Sequence, residues 1–234
     1  MINVAVIGAG VFGRNHARIY RQLEQQGEPV RLAAIADSDL ARAQAVAKEF
    51  GVGAASDLRT LREPKTIQAA SVVVPTAHHL GVARTLMEAG IDVLIEKPLT
   101  TSLDEADELI ALAKKHGRIA QVGHLERFNP AVRATLPLIT QPMFFEVHRL
   151  SVFTPRSLDI DVVLDLMIHD LDIVLSFVKS PVSDIRAVGL PILSGKVDIA
   201  NVRMEFDSGC VANFTASRVS TERVRKLRFF QPQQ

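Results

Sequence analysis

Residues 2–13 read Ile2-Asn-Val-Ala-Val-Ile-Gly8-Ala-Gly10-Val11-Phe12-Gly13, an aliphatic run that ends on three glycines spaced G-x-G-x-x-G. The run barely alternates with polar residues, so it suits a strand covered on both faces. A helical pattern follows the glycines directly. In that setting the first glycine permits a tight turn and the second lets backbone approach a diphosphate. The third lets helix pack on strand, and Val11 and Phe12 sit within the same loop. The free N–H groups and dipole of the helix N-terminus favour an anion at that point.

Working outward, a second aliphatic run at 32–36 ends on Asp37, 24 residues after Gly13. An acid about 20 residues past such a loop binds the ribose hydroxyls of a dinucleotide and repels a 2′-phosphate. The expected cofactor is therefore NAD in preference to NADP. Arg42 is the nearest cation that offers a phosphate a partner, and a plainer reading makes Asp37 the cap of the next helix.

Further short aliphatic stretches stand at 71–74, 93–95 and 119–122, separated by helix patterns. One helix follows Asp37-Ser38 and ends near Gly51. Another opens at Ser102 with Glu105 three residues on, carries a stripe of Leu103, Ala106, Leu109, Ile110 and Ala113, and closes at Gly117. Strands alternating with helices predict a doubly wound parallel sheet over residues 1–122. Beyond that the pattern changes. Strand-like stretches at 144–152, 185–190, 197–206 and 211–217, a turn at Asp207-Ser208-Gly209 and one apolar helix over 162–178 predict a second, α+β domain over residues 123–234. Its sheet is expected to be open and mostly antiparallel, and the chain as a whole α/β.

Across 234 residues, 27 basic and 26 acidic side chains leave a net charge of +1, which argues against a dedicated nucleic-acid binder. An apolar share of 47% excludes global disorder. The lone cysteine, Cys210, fits a reducing compartment, and no apolar run reaches the ~18–20 residues needed to span a bilayer. The first residues carry no basic leader, so a cytoplasmic protein with no membrane partner is expected. The seven histidines are scattered and no HExxH occurs, so no metal is expected.

Two places carry reaction chemistry. Glu96-Lys97-Pro98 closes the strand at 93–95, and ligands in such sheets bind beyond the carboxyl ends of the strands. A lysine there can hold a hydroxyl and stabilise developing alkoxide charge, although an exposed strand-end lysine is the commoner occurrence. The second place is the apolar helix, where Asp165, His169 and Asp172 fall at i, i+4 and i+7. Burying such groups without purpose costs several kcal/mol as an order of magnitude. His169 reads as a proton acceptor oriented by Asp165, with Asp161 as the helix cap. A satisfied core histidine is the plainer alternative.

Together, the glycine loop, Pro75-Thr76-x-x-His79, EKP at 96–98 and D-x-x-x-H-x-x-D at 165–172 resemble the Gfo/Idh/MocA oxidoreductases. That resemblance implies a Rossmann domain followed by an α/β domain whose open sheet makes a homo-oligomer contact. It implies catalytic roles for Lys97, Asp165 and His169, a cis Pro98, and cofactor contacts from Pro75, Thr76, His79 and Glu96. A narrower likeness, in the segment from Gly123-His124 to Asn129-Pro130 and in Ala216-Ser217-Arg218, is to bacterial dehydrogenases that oxidise UDP-N-acetylglucosamine at carbon 3 on the route to amide-linked lipid A. It implies a sugar-nucleotide substrate touched by His124, Glu126 and Asn129. Arg127, Arg156 and Arg218 are candidates for its diphosphate by location, each with a salt bridge as the alternative. A free sugar, an inositol, a UDP-uronic acid, or a catalytically silent dinucleotide-binding regulator stay open as other readings. Members of the family usually run some tens of residues further, so this is either a natural short form or a chain whose second domain is incomplete, with a sheet edge that needs a partner. The basic run Arg223, Arg225, Lys226 and Arg228 reads as a solvated strand face.

Overall fold

The opening aliphatic run forms β1 (Ile2–Ile7), which pairs with β2 (Val30–Ala36) on one side and β4 (Ala69–Val72) on the other. The computed structural model describes residues 1–61, 66–154 and 160–233, which divide into two units, Met1–Gly123 and His124–Gln234. In the first, β3 (Gly53–Ala55), β5 (Asp92–Ile95) and β6 (Ala120–Val122) complete a wholly parallel sheet in the order β3-β2-β1-β4-β5-β6. The chain starts in the middle and winds outward both ways, so a crevice opens where β1 and β4 part.

The lack of alternation in β1 has a direct cause. Val4 and Val6 enter one core with Leu32, Ile35, Val46 and Ala47, while Ala5 and Ile7 enter another with Ala83, Leu86 and Leu109. The first core lies under α1 (Val11–Gln25) and α2 (Leu40–Phe50), the second under α3 (His79–Glu88) and α4 (Leu103–His116). Each fully buried Val, Leu or Ile contributes ~1.5–3 kcal/mol. Helix ends follow local chemistry. Asp39, not Asp37, caps α2 by accepting from the Arg42 N–H, and Gly51 ends it at φ +64°. Ser102 caps α4, and Glu105 reaches back to the Thr101 N–H and hydroxyl. The expected stripe of α4 needs two changes: Leu103, at the first helical position, and Ile110 are 83% and 46% exposed and lie outside the core. The three-residue β3 went unseen, because Gly-Ala-Ala has little strand propensity.

In the second unit, α5 (Pro130–Thr135) precedes β7 (Phe144–Leu150), α6 (Ile168–Phe177), β8 (Val182–Leu190), β9 (Ile199–Phe206), β10 (Val211–Ser217) and β11 (Val224–Phe230). The strands form one sheet, β11-β7-β10-β9-β8, antiparallel except where β7 lies parallel to β10. Burial alternates along β7 and β10, as a sheet with one covered face requires. Phe145, Val147, Phe214, Ala212, Val202 and Met204 meet Met167, Val174 and Phe177 in a single core. The β9–β10 hairpin turns at Asp207-Ser208-Gly209, where glycine takes φ +81°.

The apolar helix expected over 162–178 is two pieces. A π-helical turn, Val163–Met167, runs into α6. The continuous apolar pattern hides this widening, which occurs in helices mostly as single turns and frequently at functional sites. Asp161 is the cap, its Oδ1 accepting from the Val163 and Leu164 N–H groups at 2.9 Å each. Among the described residues no helix is long and apolar enough to cross a membrane.

Candidate functional site

The glycine loop sits at the crevice of the first unit. Gly8 has φ +103°, and a Cβ there would lie 2.4 Å from the Val73 carbonyl oxygen. A Cβ on Gly13 would lie 1.7 Å from the Gly8 carbonyl oxygen, so this position admits only glycine. Around Gly10 there is open space, and among the described residues no side chain caps the first turn of α1. The N–H groups of that turn are thus left for an outside acceptor, the arrangement an anion fills.

A cavity of about 690 Å³ opens beside this loop. Gly8, Gly10, Val11, Phe12, Asp37 and Pro75 line it, together with Ser38, Arg42, Val74 and His78. The Asp37 carboxylate is fixed: Oδ2 accepts from the Ala9 N–H at 2.8 Å and Oδ1 from the Asp39 N–H at 2.9 Å. Arg42 Nε stands 3.8 Å from it. The open cradle at Gly10, the uncapped α1 turn and the anchored acid fit a dinucleotide with free ribose hydroxyls.

Gly13, Thr76, His79, Glu96 and Lys97 do not line this cavity. Thr76 is buried. His79 is 1% exposed, with Nδ1 3.0 Å from the Pro98 carbonyl oxygen and Nε2 2.9 Å from that of Val74. Its ring braces the loop after β4 against the one after β5, and the neighbouring His78 faces the cavity instead. The Lys97–Pro98 peptide bond is cis.

Sequence reading missed a polar chain behind Glu96. His16 Nε2 lies 3.0 Å from Glu96 Oε1, His16 Nδ1 3.2 Å from Ser71 Oγ, and Tyr20 Oη 2.8 Å from the same hydroxyl. The i, i+4 spacing of His16 and Tyr20 on α1 was the available signal. Burial pushes the Glu96 carboxyl up, but the His16 contact and the Lys97 N–H and charge more than offset it, so it lies below the ordinary value.

In the second unit, Asp165 falls in the π turn and is buried, while His169 in α6 is half-buried. Their helix carries two more carboxylates, each clasped by an arginine fork. Asp170 takes Arg149 Nε and Nη2 at 2.8 and 2.7 Å, and Asp172 takes Arg127 at 2.8 and 2.6 Å. Burial raises the Asp170 carboxyl and the Arg149 contact only partly reverses this. Glu126 Oε2 accepts from Asn129 Nδ2 at 2.9 Å. Burial pushes the Glu126 carboxyl up, yet Asn129, Arg149, His169 and Arg225 hold it below the ordinary value. His124 Nδ1 stands 3.9 Å from Asp172 Oδ2.

Two of the arginines expected at a diphosphate have other partners. Arg127 is paired with Asp172. Arg218 is 4% exposed, and its guanidinium donates to Asp198 Oδ1 at 2.8 Å, the Ile160 carbonyl at 3.0 Å and Ser194 Oγ at 3.1 Å. A buried guanidinium demands such a set of acceptors, and each pairing spans 20 or more residues of sequence, which spacing does not reveal. Arg156 lies outside the described residues. In the basic run, Arg228 Nη1 lies 3.1 Å from Glu146 Oε2 across the β11–β7 pair.

A glycine-loop Rossmann unit with an acid at the end of β2, followed by a second sheet-and-helix unit, is the architecture of an NAD-binding oxidoreductase. The profile described as "Oxidoreductase family, NAD-binding Rossmann fold" matches residues 2–124, and that of the GFO/IDH/MocA C-terminal domain matches 142–230. The chain belongs to the Gfo/Idh/MocA family. It is 40% identical to a UDP-N-acetylglucosamine 3-dehydrogenase of Acidithiobacillus ferrooxidans, over 98% of this chain and 71% of that protein. A solved structure of that enzyme superposes with a TM-score of 0.90 at 39% identity, covering 99% of this chain and 74% of the other. A scyllo-inositol 2-dehydrogenase (NAD(+)) of Bacillus subtilis is 30% identical over 94% of this chain and 68% of its own length.

NAD preference is expected to rest on Asp37. In Asp37→Ser the affinity ratio of NADH over NADPH should fall about tenfold, ~1.4 kcal/mol, in a fluorescence titration of both reduced cofactors. An unchanged ratio would move the discrimination to another group.

Proposed function

We propose that the protein oxidises the carbon-3 hydroxyl of UDP-N-acetylglucosamine to the 3-keto sugar nucleotide, with NAD as oxidant. The observation that carries this reading is the 40% identity over 98% of the chain to a dehydrogenase of that name. The loop at residues 8–13 and Asp37 hold the cofactor, which when bound supplies the acceptor for the electron pair of the breaking C–H bond. His169 takes the hydroxyl proton and Asp165 keeps its ring in one orientation. The Lys97 ammonium donates to the same oxygen and offsets the negative charge that builds on it. His124, Glu126 and Asn129 are assigned to the sugar nucleotide. The two arginine forks on α6 hold their helix in place and are not needed as diphosphate ligands.

Incubation with NAD and UDP-N-acetylglucosamine is expected to generate NADH absorbance, and UDP-glucose, free sugars and inositols much less. The likeness to a scyllo-inositol 2-dehydrogenase supports one rival substrate class, and faster turnover of an inositol would replace the sugar-nucleotide reading by it. Association through the second unit's sheet belongs to the same proposal, supported by the exposed Ile185, Val188 and Leu190 of β8. So does a cytoplasmic setting, supported by the single, buried Cys210.

A further inference from the structure

We propose that His16 is a positioning residue for Lys97, acting through Glu96 from the helix that carries the glycine loop. The inference rests on the reading of Lys97 given above, and its geometry lies wholly within the first unit. Glu96 leaves β5 one residue before Lys97 and has both oxygens engaged. Oε1 takes His16 Nε2 at 3.0 Å, and Oε2 accepts the Lys97 backbone N–H at 3.3 Å. On its other side stands Gly123, where any side chain would crowd the carboxylate: a Cβ there would lie 3.2 Å from Oε1.

His16 is fixed in turn. Its Nδ1 faces Ser71 Oγ, which also meets the Tyr20 hydroxyl. With one ring proton on His16 a single direction satisfies the chain: Tyr20 donates to Ser71, Ser71 to His16 Nδ1, and His16 Nε2–H to Glu96. Ser71 is 0% exposed, so this Ser–His–acid order cannot serve as a nucleophile relay. What it does is hold a strand-end carboxylate at one point. That carboxylate accepts the backbone N–H of the next residue, Lys97, and interacts with the charge of its side chain. Packing α1 against β5 would need only apolar contacts, whereas here an imidazole and a carboxylate, each 12% exposed, are in contact.

The test uses the full chain and two kinds of readout. One is the rate of Lys97 acylation by acetic anhydride, followed by mass spectrometry against the exposed Lys179 as internal reference. The other is steady-state turnover. In His16→Ala, Lys97 is expected to label several-fold faster. The kcat of this variant should fall about 100-fold, the scale for slight misplacement of a catalytic group, with KM and NAD affinity close to the parent values. His16→Gln, which restores a donor near the Nε2 position, should recover most of both. Should His16→Ala not fold, the near-isosteric Glu96→Gln is expected to give the same faster labelling. A folded His16→Ala, or Glu96→Gln in its place, with parental Lys97 labelling would overturn the proposal. So would a drop in melting temperature and NAD affinity with no change at Lys97. If the parent turns over no sugar nucleotide or polyol while the labelling behaves as described, the catalytic reading falls and the positioning role stands.

Discussion

His169→Ala is expected to lose about 10²–10⁴-fold in turnover of NAD with UDP-N-acetylglucosamine, the usual worth of a positioned proton acceptor. NAD affinity should not change, because the glycine loop and Asp37 lie within Met1–Gly123 and His169 lies in the other unit. Lys97→Ala should lose turnover on a similar scale for a different reason: the oxygen must then build negative charge without a cation beside it. In the proposed reaction the two groups serve one oxygen, and on that reading the double variant should be little worse than either single one. NADH absorbance under saturating NAD, with cofactor binding measured separately, reads both quantities. Near-parental turnover in either variant would remove that residue's role. Multiplicative losses in the double variant would mean that the two do not serve the same step.

Asp198→Ala carries the largest expected effect on stability. Asp198 is fully buried; Oδ2 accepts the Ile192, Leu193 and Ser194 N–H groups at 2.7–2.8 Å, and Oδ1 accepts Ser194 Oγ at 2.6 Å and Arg218 Nε at 2.8 Å. Alanine would orphan three backbone donors and leave a buried guanidinium without its carboxylate. Removing one partner of a buried ion pair costs about 3–5 kcal/mol, which for a unit of this size corresponds to a drop in melting temperature of order 10 °C or more. Asp198→Asn, which keeps the shape and two-way hydrogen bonding without the charge, should fall between. Burial alone would raise this carboxyl, but Ser194, Arg218 and the backbone donors hold it far below the ordinary carboxylate range. A depressed folded pKa means stability that is fully present above the unfolded value of ~3.9 and lost only as pH falls through the lower folded one. The difference in urea midpoint between the parent chain and the Asp198→Ala variant should therefore be flat from neutral pH down to about pH 4 and shrink below it. A loss under ~1 kcal/mol would show that the 192–194 turn is held by something other than this carboxylate.

Much of the fold and part of the site were legible in the chain. The spacing of Gly8, Gly10, Gly13 and Asp37 and the non-alternating strands dictated the parallel sheet, because turn geometry and two-sided burial are properties of short windows. Asp161 as a cap and Asp207-Ser208-Gly209 as a turn were readable for the same reason. Tertiary structure alone decided the partners of the buried charges. Arg127 with Asp172, Arg149 with Asp170, Arg218 with Asp198 and His16 with Glu96 stand 45, 21, 20 and 80 residues apart. It also turned His79 inward and His78 outward, and widened the helix at Val163–Met167 into a π turn. Periodicity along a helix or strand reports neighbours within about four residues. Which distant carboxylate meets which arginine follows from sheet order and register, and these exist only once the layers have closed.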